Sequence, residues 1–365
     1  MSMLSGIRVL EISDSMVDFG GRMLAELGAD VVAVLADAAP DTARDLAWHH
    51  GKTRLIADDA TVIRALAERS DIVLDGQRNG DRFGLAEIAA RNPASIYVRV
   101  TPFSPVGPNA GRPATDLTLF ALSGLMHVTG EADRPPLKFP GQQAYSLTGI
   151  QAATAALMGL YARRRTGTGQ GIDLTAVKSA TLANYREAVM YEWTGRIGRR
   201  RGNMLVRGKS GVRQVWPCLD GYVTWSMIDN PSMMRAVVKV MEEHGVAGEL
   251  SAIDWDNTLV ADTAQETIDR WQGVVETFFA GQTKAALGAW SLERGWGLSV
   301  IHDPKDVREN DHLRARGLFV SVTDEVDGRS TELPGPLFHS AAMDAPARVL
   351  KKPVLASQFT GWDAA

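Results

Sequence analysis

Within the first hundred residues, short β-prone runs alternate with segments of helical length. The runs are Arg8-Val9-Leu10-Glu11-Ile12, Asp30-Val31-Val32-Ala33-Val34-Leu35, Asp71-Ile72-Val73-Leu74 and Ile96-Tyr97-Val98-Arg99-Val100. Between the first two, a helical stretch from Gly21 to Leu27 stops at Gly28, a natural C-cap. A second helix spans Thr61–Arg69. Strands spaced by helices of this length predict a parallel sheet with helices on both faces, an α/β fold. Ligands on such sheets bind beyond the carboxyl ends of the strands.

Several binding chemistries are disfavoured. No Gly-x-Gly-x-x-Gly follows the first strand, and Gly20-Gly21 is too short to serve as one, so no nucleotide redox cofactor is expected. Gly51-Lys52 and Gly208-Lys209 lack the preceding glycine of a P-loop. Charged residues make up 22% of the 365, with a formal net charge of -4, which gives no electrostatic case for nucleic acid or an anionic membrane. No apolar run approaches the ~20 residues of a membrane span. The opening Met1-Ser2-Met3-Leu4-Ser5-Gly6 lacks the basic start and apolar core of a signal peptide. A lone cysteine, Cys218, excludes an internal disulfide and fits a reducing, cytoplasmic setting. Its place beside the turn Asp220-Gly221 reads as structural. The seven histidines are scattered without metal-ligand spacing, so no metal is expected.

The middle of the chain carries a helix from Leu147 to Arg165, rich in small residues that permit close approach of neighbours. Arg163-Arg164-Arg165 reads as a solvated helix end favoured by the macrodipole, and Arg196-Ile197-Gly198-Arg199-Arg200-Arg201 as a linker. Beyond Gly202 the composition changes. Val215 to Val223 reads as a hairpin turning at Asp220-Gly221, amphipathic helices follow near Pro231–His244 and Ala264–Phe279, and Leu318–Val322 is a late strand. The expected organisation is a large domain over 1–205, a small α+β domain over 211–325, and a tail, 326–365, returning to the first.

A set of ordered motifs points to a family. They include Leu4-x-Gly6-x-Arg8-Val9-Leu10-Glu11, Gly51-Lys52-Thr53-Arg54, Asp81-Arg82-Phe83-Gly84-Leu85 and Gly107-Pro108. Ser123-Gly124-Leu125-Met126-His127-Val128-Thr129-Gly130, Pro135-Pro136 and Thr166-Gly167-Thr168-Gly169-Gln170-Gly171 follow, with Asp303-Pro304 and Asp311-His312-Leu313 later. In this order they resemble the class III coenzyme A transferases, the family that includes carnitine, formyl-CoA and benzylsuccinate transferases and the 2-methylacyl-CoA racemases. The resemblance implies a Rossmann-like large domain, a smaller α+β domain and an interlocked dimer, either a homodimer or a heterodimer with a related subunit. It also implies coenzyme A or an acyl-CoA as substrate, with a small organic acid as the other reactant.

Two departures and one retention shape the expected site. In the family an Asp stands four residues before the Gly of the helix; here that Gly is Gly149 and the residue is Tyr145. The Asp attacks a thioester, whereas a phenol of pKa about 10 is mostly protonated and is a poor nucleophile. Tyr145 can still donate a hydrogen bond to a thioester oxygen. The second strand runs into Ala33-Val34-Leu35-Ala36-Asp37 without a cation for a CoA phosphate. Arg78, Arg82 and Lys138 remain as cationic candidates, with Phe83 beside Arg82, and the resemblance places Arg82 next to the nucleotide. The retention is His127, which matches the racemases' proton-moving histidine. Four functions follow: a non-nucleophilic subunit of a hetero-oligomeric CoA transferase, an acyl-CoA racemase or isomerase using His127, a CoA-independent binding protein, or an ordinary transferase with another carboxylate moved into place.

Overall fold

The early β-prone runs become strands, and the segments between them become crossover helices. In the computed structural model, which describes residues 2–36, 42–78, 80–336, 340 and 348–362, the chain falls into two compact units. The first takes in the residues up to His127, Leu137–Gly198 and those from Asp311 onward. It opens with β1 (Arg8–Ile12), α1 (Asp18–Glu26), β2 (Asp30–Leu35), α2 (Ala43–His49) and β3 (Thr53–Ile56). Then come α3 (Ala60–Glu68), β4 (Ile72–Asp75), α4 (Leu85–Arg91) and β5 (Ile96–Thr101). Helices α5 (Asp116–Leu122) and α6 (Gln143–Thr166), strand β6 (Gln170–Thr175), and helices α7 (Ala176–Leu182) and α8 (Tyr185–Thr194) complete this stretch.

The second unit comprises Val128–Pro136 and Arg199–Asn310. Its strands are β7 (Met204–Arg207), β8 (Ser210–Arg213), β9 (Val215–Cys218) and β10 (Gly221–Thr224), and its main helices α9 (Pro231–Glu243), α10 (Gln265–Ala280) and α11 (Lys284–Arg294), followed by β11 (Ser299–Ile301). β7 and β8 form a hairpin, and β11-β10-β9 an antiparallel sheet. Trp216, Trp225 and Trp296 gather around Phe279 at ring-centroid distances of 5.7 to 6.2 Å and make an aromatic core.

The last strands, β12 (Phe319–Asp324), β13 (Ser330–Pro334), β14 (Val349–Leu350) and β15 (Val354–Leu355), belong to the first unit. The run Leu318–Val322, assigned from sequence to the small domain, is therefore relocated. Val320, Val322 and Leu350 cluster with Leu46 of α2, which decides where the strand is buried. The main span of the second unit is accordingly Arg199–Asn310, joined by Val128–Pro136, where composition suggested 211–325.

All pairings in the large sheet are parallel, in the order β15-β3-β2-β1-β4-β5-β6. Period-two alternation supplies a core on each face. Val9, Val31, Ile72, Leu74 and Val98 join the side covered by α6, and Leu10, Val32, Val34, Val73 and Leu55 the other. Close packing of α1 on α6 requires glycine. A Cβ on Gly20 would lie 2.6 Å from the Gly149 carbonyl oxygen, and one on Gly149 would lie 3.0 Å from the Gly20 nitrogen. α6 ends at Gly167 in the left-handed region, φ 77°, with its N–H bonded to the Arg163 carbonyl. Among the described residues no helix is long and apolar enough to cross a membrane.

Candidate functional site

The strand order reverses direction between β1 and β4, so the carboxyl ends of these two strands border the crevice where doubly wound sheets place ligands. β1 runs into Ser13-Asp14, and β4 into Gly76-Gln77-Arg78. Gly76 is needed there because a Cβ would lie 2.7 Å from the Ile12 carbonyl oxygen and 2.9 Å from Asp14 Cβ. The close approach sets Arg78 opposite Asp14. Arg78 Nε donates to Asp14 Oδ2 at 2.7 Å and Nη2 to Oδ1 at 3.1 Å, a two-pronged pair.

Tyr145 packs onto this pair from the first turn of α6. Its ring lies under the Arg78 guanidinium, 5.3 Å from carbon to centroid. The phenol donates to the Ala114 carbonyl at 3.4 Å, and Arg78 Nη1 donates to the same oxygen at 3.0 Å. Burial works against the guanidinium charge, but the Asp14 hydrogen bond and charge outweigh it and hold the Arg78 pKa above its usual value. The Tyr145 N–H donates to Asp116 Oδ1 at 3.1 Å, and Asp116 Oδ2 stands 3.3 Å from Lys138 Nζ. Lys138 also donates to the Gly141 carbonyl at 2.6 Å. Tyr145 is 4% exposed, a buried side chain between an arginine and a carbonyl.

The other expected residues lie in different settings. His127 is exposed in a short 3-10 turn, Met126–Val128, and its Nε2–H donates to the Gly198 carbonyl at 3.2 Å. This bond leads to the linker and not to Tyr145. Arg82 is exposed, with its guanidinium 4.9 Å from the Phe83 ring centroid. Phe83 itself is buried in the core under α3 and α4, and its carbonyl accepts from Arg64 Nε. Arg78, Tyr145 and Lys138 thus share one neighbourhood through Ala114 and Asp116. Burial also raises the Cys218 thiol pKa, which fits the structural reading of that residue.

A second polar cluster was not anticipated. Glu11 points from β1 toward α1, where a Cβ on Gly21 would strike its carboxylate at 1.4 Å. Lys52 Nζ donates to both Glu11 oxygens and to the Asp18 carbonyl, each at 2.8 Å. His49 Nδ1 is 4.0 Å from Glu11 Oε1, and its Nε2 is 3.7 Å from Asp18 Oδ2. Burial, with repulsion from Asp18 and against the pull of Lys52, pushes the Glu11 carboxyl up to about 8. Burial likewise raises Asp18 to about 6 and lowers His49 well below its usual range. Glu11, Asp18 and His49 offer ligand atoms within 4.8 Å of one another, but the Lys52 ammonium already bonds both Glu11 oxygens and answers that charge. A visible signal was the single charged residue inside the apolar run Val9-Leu10-Glu11-Ile12, since a buried strand carboxylate demands a cation.

Residues 4–356 match CoA-transferase family III. Over 360 residues the chain is 27% identical to succinyl-CoA:(R)-benzylsuccinate CoA-transferase subunit BbsE of Thauera aromatica, covering 91% of this chain and 86% of that one. It is 30% identical over 277 residues to succinate–glutarate CoA-transferase of Agrobacterium fabrum, covering 67% of this chain and 68% of the other. In three dimensions it is similar to a CAIB/BAIF family protein from Brucella suis, with a TM-score of 0.78, 25% identity and 95% of both chains covered.

Proposed function

The chain belongs to CoA-transferase family III, and from that premise we propose that it is a non-nucleophilic subunit of a CoA transferase. It would act on acyl-CoA thioesters of an organic acid beside a related chain that supplies the attacking carboxylate. The observation that carries this reading is the state of Tyr145. The side chain at the family's carboxylate position is a phenol, buried and engaged by Ala114 and Arg78. A phenol offers no carboxylate to attack a thioester and hold the acyl group as an anhydride.

Two observations support a partner. Helix α8 has no buried residue, although it carries Val189, Tyr191 and Trp193, the last 84% exposed. Leu122, Tyr161 and Leu182 on α5, α6 and α7 are also exposed. Apolar helix faces of this extent mark association surfaces, and a related chain is the occupant proposed. A relative is itself named as a subunit. The cationic contacts proposed for the CoA end are Arg78, Arg82 and Lys138, of which Arg82 and Lys138 are exposed.

The test is CoA transfer between acids by the purified chain alone and with a related, carboxylate-bearing chain. The expected result is no transfer alone and transfer on mixing. Transfer by the isolated chain overturns the reading. The racemase alternative draws no support from His127, which bonds the Gly198 carbonyl.

A further inference from the structure

The run Arg199-Arg200-Arg201, read from sequence as a linker, is held in place within the second unit. The Gly202 N–H donates to the Gly130 carbonyl at 3.0 Å, and Arg200 Nε donates to the Glu131 carbonyl at 3.3 Å. Gly202 sits at φ 53°, and a Cβ there would lie 1.8 Å from the Glu131 carboxylate, so the turn requires glycine. The β7–β8 hairpin that follows is pinned at its tip. The Lys209 N–H donates to the Ala261 carbonyl at 2.7 Å, and Gln265 clasps both backbone groups of Gly211 at 2.7 and 3.0 Å.

Between the arginine run and the hairpin lies a cavity of about 490 Å³. Arg199, Arg200, Arg201 and Lys209 line it, with Met204 and Val206 supplying apolar wall. No carboxylate residue is among its lining residues; Lys209 Nζ pairs at 3.8 Å with Asp262, which lies outside the lining. Among the described residues, the Arg199 and Arg201 side chains have no ion-pair or hydrogen-bond partner, although both are exposed. The run at the end of α6 behaves differently. There Arg163 is tied to Asp71 at 2.8 Å and to the Ala94 carbonyl at 2.9 Å.

We propose that this cavity binds the phosphate groups of a nucleotide-bearing small molecule, of the nucleoside diphosphate class. Guanidinium groups recognise phosphate oxygens in pairs. Three arginines and a lysine around one concavity match two or more phosphates better than a single carboxylate. The volume falls within the range of small-molecule sites, and the Met204–Val206 wall suits the uncharged part of such a ligand. Coenzyme A carries this chemistry and so does a free nucleotide. Coenzyme A as the occupant rests on the function proposed above and would be a seat additional to the one proposed at Arg78, Arg82 and Lys138, whereas the phosphate site itself does not depend on that function.

The experiment is calorimetry on the full chain with ADP, inorganic pyrophosphate, coenzyme A and dephospho-CoA. The parent is compared with R199A/R201A and with R164A/R165A, which removes the same charge elsewhere. The expected result is binding of ADP and CoA that weakens at least roughly tenfold in R199A/R201A and holds in R164A/R165A. Binding of ADP and pyrophosphate with that dependence, but none of CoA, upholds the cavity and ends the CoA reading. CoA affinity unchanged in R199A/R201A overturns the cavity and leaves the CoA reading standing. Equal loss in both double variants, or no binding of any probe, also overturns it.

Discussion

Two polar clusters lie along β1 and carry their charges in opposite ways. Within the strand, Glu11 and Lys52 form an ion pair whose side chains are both 0% exposed. Just past its end, Arg78 and Asp14 keep 29% and 19% of their side-chain surface. The first pair has three short bonds from one ammonium and no opening to solvent, so its consequence is architectural: it joins β1, α1 and the turn before β3. The second sits at the crevice of the sheet, shares the Ala114 carbonyl with Tyr145, and retains surface that a ligand can reach. Burial alone does not single out a candidate site; position at the carboxyl edge of the sheet is what makes Arg78 and Asp14 candidates.

The strongest way to break this contrast is Lys52→Met. Above pH 8, where the Glu11 carboxyl is ionised, it strands that charge in the interior, and the expected loss of stability is about 3–5 kcal/mol, read by denaturant unfolding. A loss below about 1 kcal/mol there would show that Glu11 stays protonated in the variant. Removing both charges with E11Q/K52M should recover much of the loss, since a buried pair contributes less than either unpaired member costs.

The pH response follows from the same cluster. Glu11 has a folded pKa of about 8 against a reference of 4.5, so the native state holds its proton longer than the unfolded chain. Its contribution is full below pH 4.5 and is lost as pH rises toward 8. Asp18 acts in the same sense between 3.8 and about 6, while His49, lowered from 6.5, opposes both below that value. Between pH 6.5 and 8 Glu11 carries most of the change, and stability should fall by up to about 1.4 kcal/mol per pH unit, less the part that His49 and His50, both lowered from 6.5, return near the bottom of that range. In Glu11→Gln that slope should vanish; a slope that persists assigns it elsewhere.

Smaller effects belong to the crevice. Arg78→Ala removes a half-buried pair and one carbonyl bond, at a cost of about 1–3 kcal/mol, and should also weaken acyl-CoA binding measured by calorimetry. Tyr145→Phe should cost less than about 1 kcal/mol, because the phenol bond is long at 3.4 Å and Arg78 already donates to that carbonyl. A large loss of CoA binding in Tyr145→Phe would instead give the hydroxyl a direct role at the ligand.

Much of the architecture was legible in residue patterns. The runs Arg8–Ile12 and Asp30–Leu35 became strands with those bounds, because unbroken β-branched stretches suit a sheet buried on both faces. β3 was missed, since Thr53-Arg54-Leu55-Ile56 is short and half polar, and Arg54 hides its charge by donating to the Lys351 carbonyl. The site was legible only in part. Counting four back from Gly149 located Tyr145, but its link to Arg78 and Asp14 joins segments 64 or more residues apart. Glu11 and Lys52, 41 residues apart, were each noted and not paired, because local pattern carries no information on which distant charge closes a buried one. Phe83 beside Arg82 reads in sequence as a ligand contact, whereas the fold buries its ring in the core.

The pairing of β15 with β3 has a consequence for how the molecule is made. Leu55 finds Val354, and Asp58 finds Ser357 across 299 residues. At ribosomal speeds of about 5–20 residues per second, the partner of β3 emerges on the order of 15 to 60 s after β3 itself. For that interval the outer edge of β3 is an open template for stray strands. Premature release shortly before Val354 should therefore yield a nascent chain that clumps or engages chaperones, although nearly all of its interior has already been synthesised.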